Sequence, residues 1–155
     1  MPLRPLRPRG SARETALRLL ARRDHGAGEL RRKLRQRGYS EEETKKAVES
    51  LSGGGLLSDA ACARAFARES LSSGHGPAWI RAKLKSRGVT ADAPAVLLED
   101  ECESLRELLK RRRVAGAALT DPKERARIMR FARGRGYGSA AIVRVLGDID
   151  DEFGG

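Results

Sequence analysis

A pattern of eleven residues returns after fifty positions, and this constrains the fold more than any other feature of the sequence. Leu30-Arg31-Arg32-Lys33-Leu34-Arg35-Gln36-Arg37-Gly38-Tyr39-Ser40 aligns with Ile80-Arg81-Ala82-Lys83-Leu84-Lys85-Ser86-Arg87-Gly88-Val89-Thr90. The preceding pairs His25-Gly26 and His75-Gly76 fall in the same register. A more diverged third copy places Ile128, Ala132, Arg135, Gly136, Tyr137 and Gly138 48 residues after the second. A repeat of this length is a small supersecondary unit that buries its apolar face against its neighbours rather than around one deep core.

Composition says what the unit is made of. Leu, Ile, Val and Phe number 32 of 155 residues, and the chain carries 32 Lys plus Arg against 21 Asp plus Glu. That apolar content lies just above the level at which a highly charged chain stays unfolded. The 22 alanines and the long charged side chains favour helix, while the β-branched and aromatic residues that pack well on sheets are scarce. The expected fold class is all-α, an elongated and curved array of three tandem three-helix repeats.

Local signals place the helices. In the first repeat, Ser11 and Glu14 form a capping box ahead of Leu17 and Leu20, in a helix that runs to about Asp24. The second helix starts near Ala27, carries Leu30 and Leu34, and stops at Gly38, which can take the left-handed conformation that closes a helix. The third begins at Ser40 with Glu43 as a second capping box, and Gly53-Gly54-Gly55 ends the unit. The second repeat presents Ala63, Phe66, Ala67 and Leu71, then Ile80 and Leu84 up to a stop at Gly88, then Val96 and Leu97 behind a first-turn Pro94. In the third, Cys102, Leu105 and Leu109 continue a stripe from the preceding helix with little or no break. Asp121, Pro122 and Glu124 then open a helix that buries Ile128, Phe131 and Ala132 and stops at Gly136, and Ile142, Leu146 and Ile149 close the series. The boundaries expected on this reading are a disordered basic arm over 1–10 and repeats over 11–57, 58–101 and 102–155.

Charge is concentrated on the second helix of each unit. Residues 29–37 hold five cations and one anion, 79–87 four and none, and 123–135 six and one. Arg31 with Arg35, Arg81 with Lys85, and Arg130 with Arg133 are spaced to share an outward helix face, which marks these six as the candidate partner- or DNA-binding residues. Such pairs suit successive phosphates or the acidic rim of a protein along an elongated target. The competing reading is a solvated face that only keeps the protein soluble. Arg37, Arg87 and Arg135 directly precede the closing glycines, where a cation compensates the carbonyl end of its own helix.

Other classes find little support. No stretch approaches the roughly 20 apolar residues that span a bilayer, and the start, Pro2-Leu3-Arg4-Pro5-Leu6-Arg7, lacks the apolar centre of a signal peptide. Cys62 and Cys102 are too few for a disulfide framework and are read as small core residues of a reduced, cytoplasmic protein. His25 and His75 have no flanking carboxylate, so no catalytic site is expected, and with the two cysteines they offer no close pair for a metal. Gly134-Arg135-Gly136-Tyr137-Gly138 follows a helix and not a strand, unlike a phosphate loop. Trp79 reads as a partly buried anchor. No cofactor is expected, and the chain is expected to be a monomer.

One family resemblance stands out. Leu56-Leu57-Ser58-Asp59, Ala63, Phe66, Gly74-His75-Gly76-Pro77, Ile80, Leu84 and Arg87-Gly88-Val89 are similar to the central signature of RecX regulatory proteins. Ala16-Leu17, Glu29-Leu30, Lys33-Leu34 and Gly38 are similar to that family's first repeat, and the resemblance extends over about residues 12–150. Ser58 stands where the family usually has an acidic residue, and Cys62 where it usually has an aromatic one. The resemblance implies a non-enzymatic modulator of the RecA recombinase that lies in the groove of the RecA–DNA filament. It implies inhibition of filament growth, ATP hydrolysis, strand exchange and co-protease activity, with single- or double-stranded DNA bound weakly. The rival expectation is a helical nucleic-acid-binding protein of the nucleoid or transcription class, since three-helix units also dock a helix in a DNA groove.

Overall fold

The computed structural model describes residues 9–90 and 100–153. The described residues form helices and turns without a strand: α1 (Ala12–Leu20), α2 (Ala27–Gln36), α3 (Glu41–Gly53), α4 (Asp59–Ser72), α5 (Pro77–Ser86), α6 (Glu101–Arg111), α7 (Gly116–Leu119), α8 (Pro122–Gly134) and α9 (Ser139–Phe153). The third helix expected around Pro94, Val96 and Leu97, the run-on into the stripe at Cys102, and most of the arm lie outside the described residues. The chain divides into two compact units, one of residues 1–65 with 84–92 and one of residues 66–83 with 93–155, so the division falls within α4 and α5.

In the first unit, α1, α2 and α3 pack on one another around Ala16, Leu30, Leu34, Val48 and Leu51, all essentially without solvent exposure. Their ends are set by local chemistry. Both capping boxes form: Ser11 Oγ accepts from Glu14 N while Glu14 Oε2 accepts from Ser11 N, and Ser40 and Glu43 do the same. Helix α1 ends at Leu20, earlier than the expected Asp24. The cause is the next loop, where His25 Nδ1 bonds the Arg23 carbonyl at 2.8 Å and the Arg23 guanidinium turns to Glu29, which draws the chain off the helix axis.

The start of α2 meets the turn after α5 in the same unit. A Cβ on Gly28 would lie 2.6 Å from the Gly88 carbonyl oxygen, so only glycine permits this approach of the two backbones. Asp59, at the first position of α4, bridges them: one oxygen accepts from Ala27 N at 2.7 Å, the other from Thr90 N and Thr90 Oγ1 at 3.0 Å. Gly38, Gly88 and Gly136 have φ of +92°, +73° and +93°, the left-handed turn that ends α2, α5 and α8.

The second unit contains the corresponding joint between α5 and the turn after α8. Here backbone meets backbone: Gly76 N donates to Arg135 O at 2.7 Å and Ala78 N to Gly136 O at 3.0 Å. Around it, α6, α8 and α9 pack on Leu105, Leu109, Ile142, Val145 and Leu146. The third repeat departs from the expected three helices by the extra turn α7, which packs against α8 and α9 and buries Leu119. The apolar run from Val114 to Leu119 has no counterpart in the other repeats, and the extra turn takes its largest buried side chain, Leu119, out of water. Asp121 caps α8 at Lys123 N, with Pro122 in its first turn.

A buried hydroxyl pair ties the first helix of a repeat to the turn after its second. Tyr39 Oη lies 2.7 Å from Thr15 Oγ1 in the first unit, and Tyr137 Oη lies 2.7 Å from Ser104 Oγ in the second. Ser104 Oγ donates to Leu71 O at 2.8 Å, so the Tyr137 hydroxyl supplies the proton between them. We expect Tyr137→Phe to cost about 1 kcal/mol, the net worth of one buried hydrogen bond, measured as a shift of the urea midpoint at constant slope. An unchanged midpoint would show that the pair contributes nothing.

Candidate functional site

The structure sorts the cations of the basic helices into two groups. Arg31 and Arg35 on α2, Arg81 and Lys85 on α5, and Arg130 and Arg133 on α8 are all exposed, and none is ion-paired among the described residues. Within each pair the two residues are three or four positions apart on one helix, so their heads project from the same face. On α2, Arg31, Arg32, Arg35, Gln36 and Gly28 line an open depression of about 490 Å³. Three exposed guanidinium groups around one depression present planar, multidentate donors suited to phosphate or carboxylate oxygens.

Several other cations on or beside these helices are ion-paired within the chain. Lys33 and Arg87 reach the Glu29 carboxylate at 3.5 and 3.3 Å, Arg125 pairs with Asp150 at 2.7 Å, and Arg127 with Glu124 at 2.8 Å. Arg106 on α6 also pairs with Asp148 on α9.

The three arginines before the closing glycines behave differently from one another. Arg37 Nη1 donates to Lys33 O in its own helix at 3.3 Å, as expected. Arg87 and Arg135 instead leave their own helix ends. Arg87 binds Glu29 and the Asp24 carbonyl, and Arg135 donates to Gly74 O at 2.8 Å and Ser73 O at 2.9 Å. The close glycine joints bring loop carbonyls of the preceding repeat within reach of Arg87 and Arg135.

Glu29 is the residue that sequence reading did not single out. Its side chain is 4% exposed and is met by Arg23, Lys33 and Arg87. Burial works to raise its pKa, but the Arg23 hydrogen bond and the Arg87 and Arg23 charges outweigh it and hold the carboxyl below its ordinary value. Asp59 is likewise held low, burial being outweighed by the bonds from Thr90 and Ala27 and the nearby charge of Arg31. The one available signal was that Glu29 is the sole acid in an otherwise basic helix.

His25 is buried between the Arg23 carbonyl and Lys33 Nζ, 3.1 Å from Nε2, so Nδ1 carries the proton and Nε2 accepts. Burial, with the Arg23 and Lys33 charges, pushes its pKa down, and burial with Arg135 does the same for His75. Trp79 is half-buried, stacked 3.8 Å from the His75 ring and 6.1 Å from Phe66, with Lys83 Nζ 5.9 Å from its centroid. Its backbone abuts Gly136, where an added Cβ would stand 2.5 Å from Trp79 N, so this residue anchors the second joint. Cys62 is buried, and burial raises its thiol pKa; Cys102 is half-buried. Among the described residues no cluster of His, Cys, Asp or Glu is arranged to hold a metal, and no helix is long and apolar enough to cross a membrane.

These groups fix the direction of acid sensitivity. A histidine held neutral has a folded pKa below 6.5, so its stabilisation is complete above that value and is lost as pH falls through the depressed one. The carboxylates of Glu29 and Asp59 add a second loss, starting below their ordinary values of 4.5 and 3.8. We expect the urea midpoint to fall first below about pH 6.5 and more steeply below about pH 4.5, with His25→Gln/His75→Gln flattening the first phase. A midpoint constant from pH 7 to 5 in the unmodified chain would contradict this.

Comparison with known proteins agrees with this architecture. Models of the RecX first, second and third three-helix domains match residues 12–51, 58–93 and 99–146. The regulatory protein RecX of Pseudomonas putida is 43% identical over 145 residues, 90% of this chain and 92% of the relative. That of Pseudomonas savastanoi is 44% identical over 140 residues, 88% and 90% of the two chains. The crystal structure of RecX from Lactobacillus salivarius superposes with a TM-score of 0.75 at 19% identity, covering 90% of this chain and 94% of its own, a likeness of fold. With three consecutive domain matches and near full-length relatives above 40% identity, the chain belongs to the RecX family of regulatory proteins.

Proposed function

We propose that this chain regulates the RecA recombinase without catalysis, by laying its basic second helices on the RecA–DNA filament. It limits filament growth and with it ATP hydrolysis, strand exchange and co-protease activity. The observation that carries this reading is the recurrence, on the corresponding helix of each repeat, of an exposed cation pair that makes no ion pair among the described residues. A filament offers the same acidic or phosphate surface at regular intervals, and a repeated cationic helix is the matching element. Family membership supports a regulatory role. In this reading the protein acts as a cytoplasmic monomer, requires no cofactor, and touches DNA weakly beside its protein contacts.

Sedimentation separates this from the rival reading, a nucleic-acid-binding protein of the nucleoid or transcription class. The chain is expected to pellet with RecA filaments on single-stranded DNA at salt concentrations where the same DNA without RecA leaves it in solution. Equal retention by bare DNA, with the same steep salt dependence, would assign the helices to nucleic acid instead.

A further inference from the structure

We propose that the joint between α2 and the turn after α5 is an ion-locked hinge, which opens when Glu29 loses its charge while the joint between α5 and the turn after α8 stays closed. This inference is independent of RecA and rests on how the two joints differ. The second is closed by two backbone hydrogen bonds, Gly76 N to Arg135 O and Ala78 N to Gly136 O. The first has no direct backbone pair across it among the described residues. Side chains hold it instead: Arg87 on Glu29 and Asp24 O, and the Asp59 carboxylate between Ala27 N and Thr90.

Neutral amides bonded to one another do not respond to the charge of a neighbour as an ion pair does. Glu29 is faced by Arg23 and His25 from the loop before α2, by Lys33 from α2, by Arg87 from the end of α5, and by Cys62 from α4, the same thiol that Asp24 and Asp59 also reach electrostatically. With one central carboxylate among Arg23, Lys33 and Arg87, its neutralisation leaves the three cations to repel one another and removes the ion pair between Arg87 and Glu29. Gly28 and Gly88 then separate, since their approach adds no hydrogen bond of its own. Such a hinge lets the first repeat adjust to a partner surface while the second joint keeps its geometry.

Cys62 supplies the readout, because it is buried and within electrostatic reach of Arg87, Glu29, Asp24 and Asp59. In a Cys102→Ser background, labelling of the single thiol by an aromatic disulfide reagent at pH 7.5 reports opening. We expect Glu29→Gln to speed labelling at least tenfold at unchanged helix content, and Arg135→Gln, in the other joint, to change it less than twofold. Unaltered labelling in Glu29→Gln, or equal acceleration by Arg135→Gln, would overturn the proposal. Should Glu29→Gln lose helix content, hydrogen exchange in the unmodified chain decides. Amides of Ala27 and Thr90 exchanging at least tenfold faster than those of Gly76 and Ala78, after correction for intrinsic rates, would support the hinge, and equal or slower exchange would refute it.

Discussion

Gly76→Ala should destabilise the second unit by about 3 kcal/mol, the upper range for overpacking a site that cannot relax. A Cβ at this position would stand 2.5 Å from both Gly136 O and Tyr137 N, which are backbone atoms without a rotamer to escape into. Relief therefore requires the joint to widen, and widening breaks the bonds from Gly76 N to Arg135 O and Ala78 N to Gly136 O. The added carbon thus costs contact strain and two hydrogen bonds together. Gly147→Ala is the matched control. Gly147 lies inside α9 with no heavy atom within 4 Å of a built Cβ, so the substitution should stabilise by about 1 kcal/mol through helix propensity alone. Urea unfolding followed by circular dichroism gives both values, and a Gly76→Ala midpoint equal to that of the parent would show that the joint is loose.

Reversing charge at Arg31, Arg35, Arg81 and Lys85 to glutamate should lower affinity for the RecA–DNA filament by at least a hundredfold and leave the helix content intact. All four side chains are exposed and none is ion-paired among the described residues, so the fold loses no ion pair, while reversal at Arg31 also removes a nearby charge that favours the Asp59 carboxylate. Under the proposed function, each substitution replaces attraction by repulsion toward an acidic surface, and the four effects accumulate. Lys33→Gln and Arg87→Gln form the contrasting pair. They disturb the Glu29 lock and should lower stability more than the direct contact with a filament. Equal affinity of the fourfold variant and the parent, at low salt, would remove these helices from the interface.

What sequence disclosed was mostly local chemistry. Ser11 with Glu14 and Ser40 with Glu43 act within one helical turn, so their capping boxes were readable from spacing alone. The left-handed glycines were legible because the repeat showed them three times. The partners of Arg87 and Arg135 were not, because each lies about sixty positions away and depends on two glycine contacts that no local pattern encodes. Glu29 was hidden for the same reason: its burial is a property of the joint, not of α2. Helix α7 went unread because the apolar run that forms it is an insertion in one copy, and repetition is silent about what is not repeated. The six cations on the exposed helix faces were placed by periodicity, whereas the ion pairs of Lys33, Arg87 and Arg125 depend on how the helices and loops fold together.

The most direct test is a titration of RecA ATP hydrolysis on single-stranded DNA. Substoichiometric amounts of the unmodified chain are expected to suppress hydrolysis, because a subunit docked along the filament affects growth beyond the site it covers, and the fourfold charge-reversed variant is expected to leave the rate unchanged. Hydrolysis that stays constant at every ratio of unmodified chain to RecA, or that both proteins suppress alike, would contradict regulation through these helices.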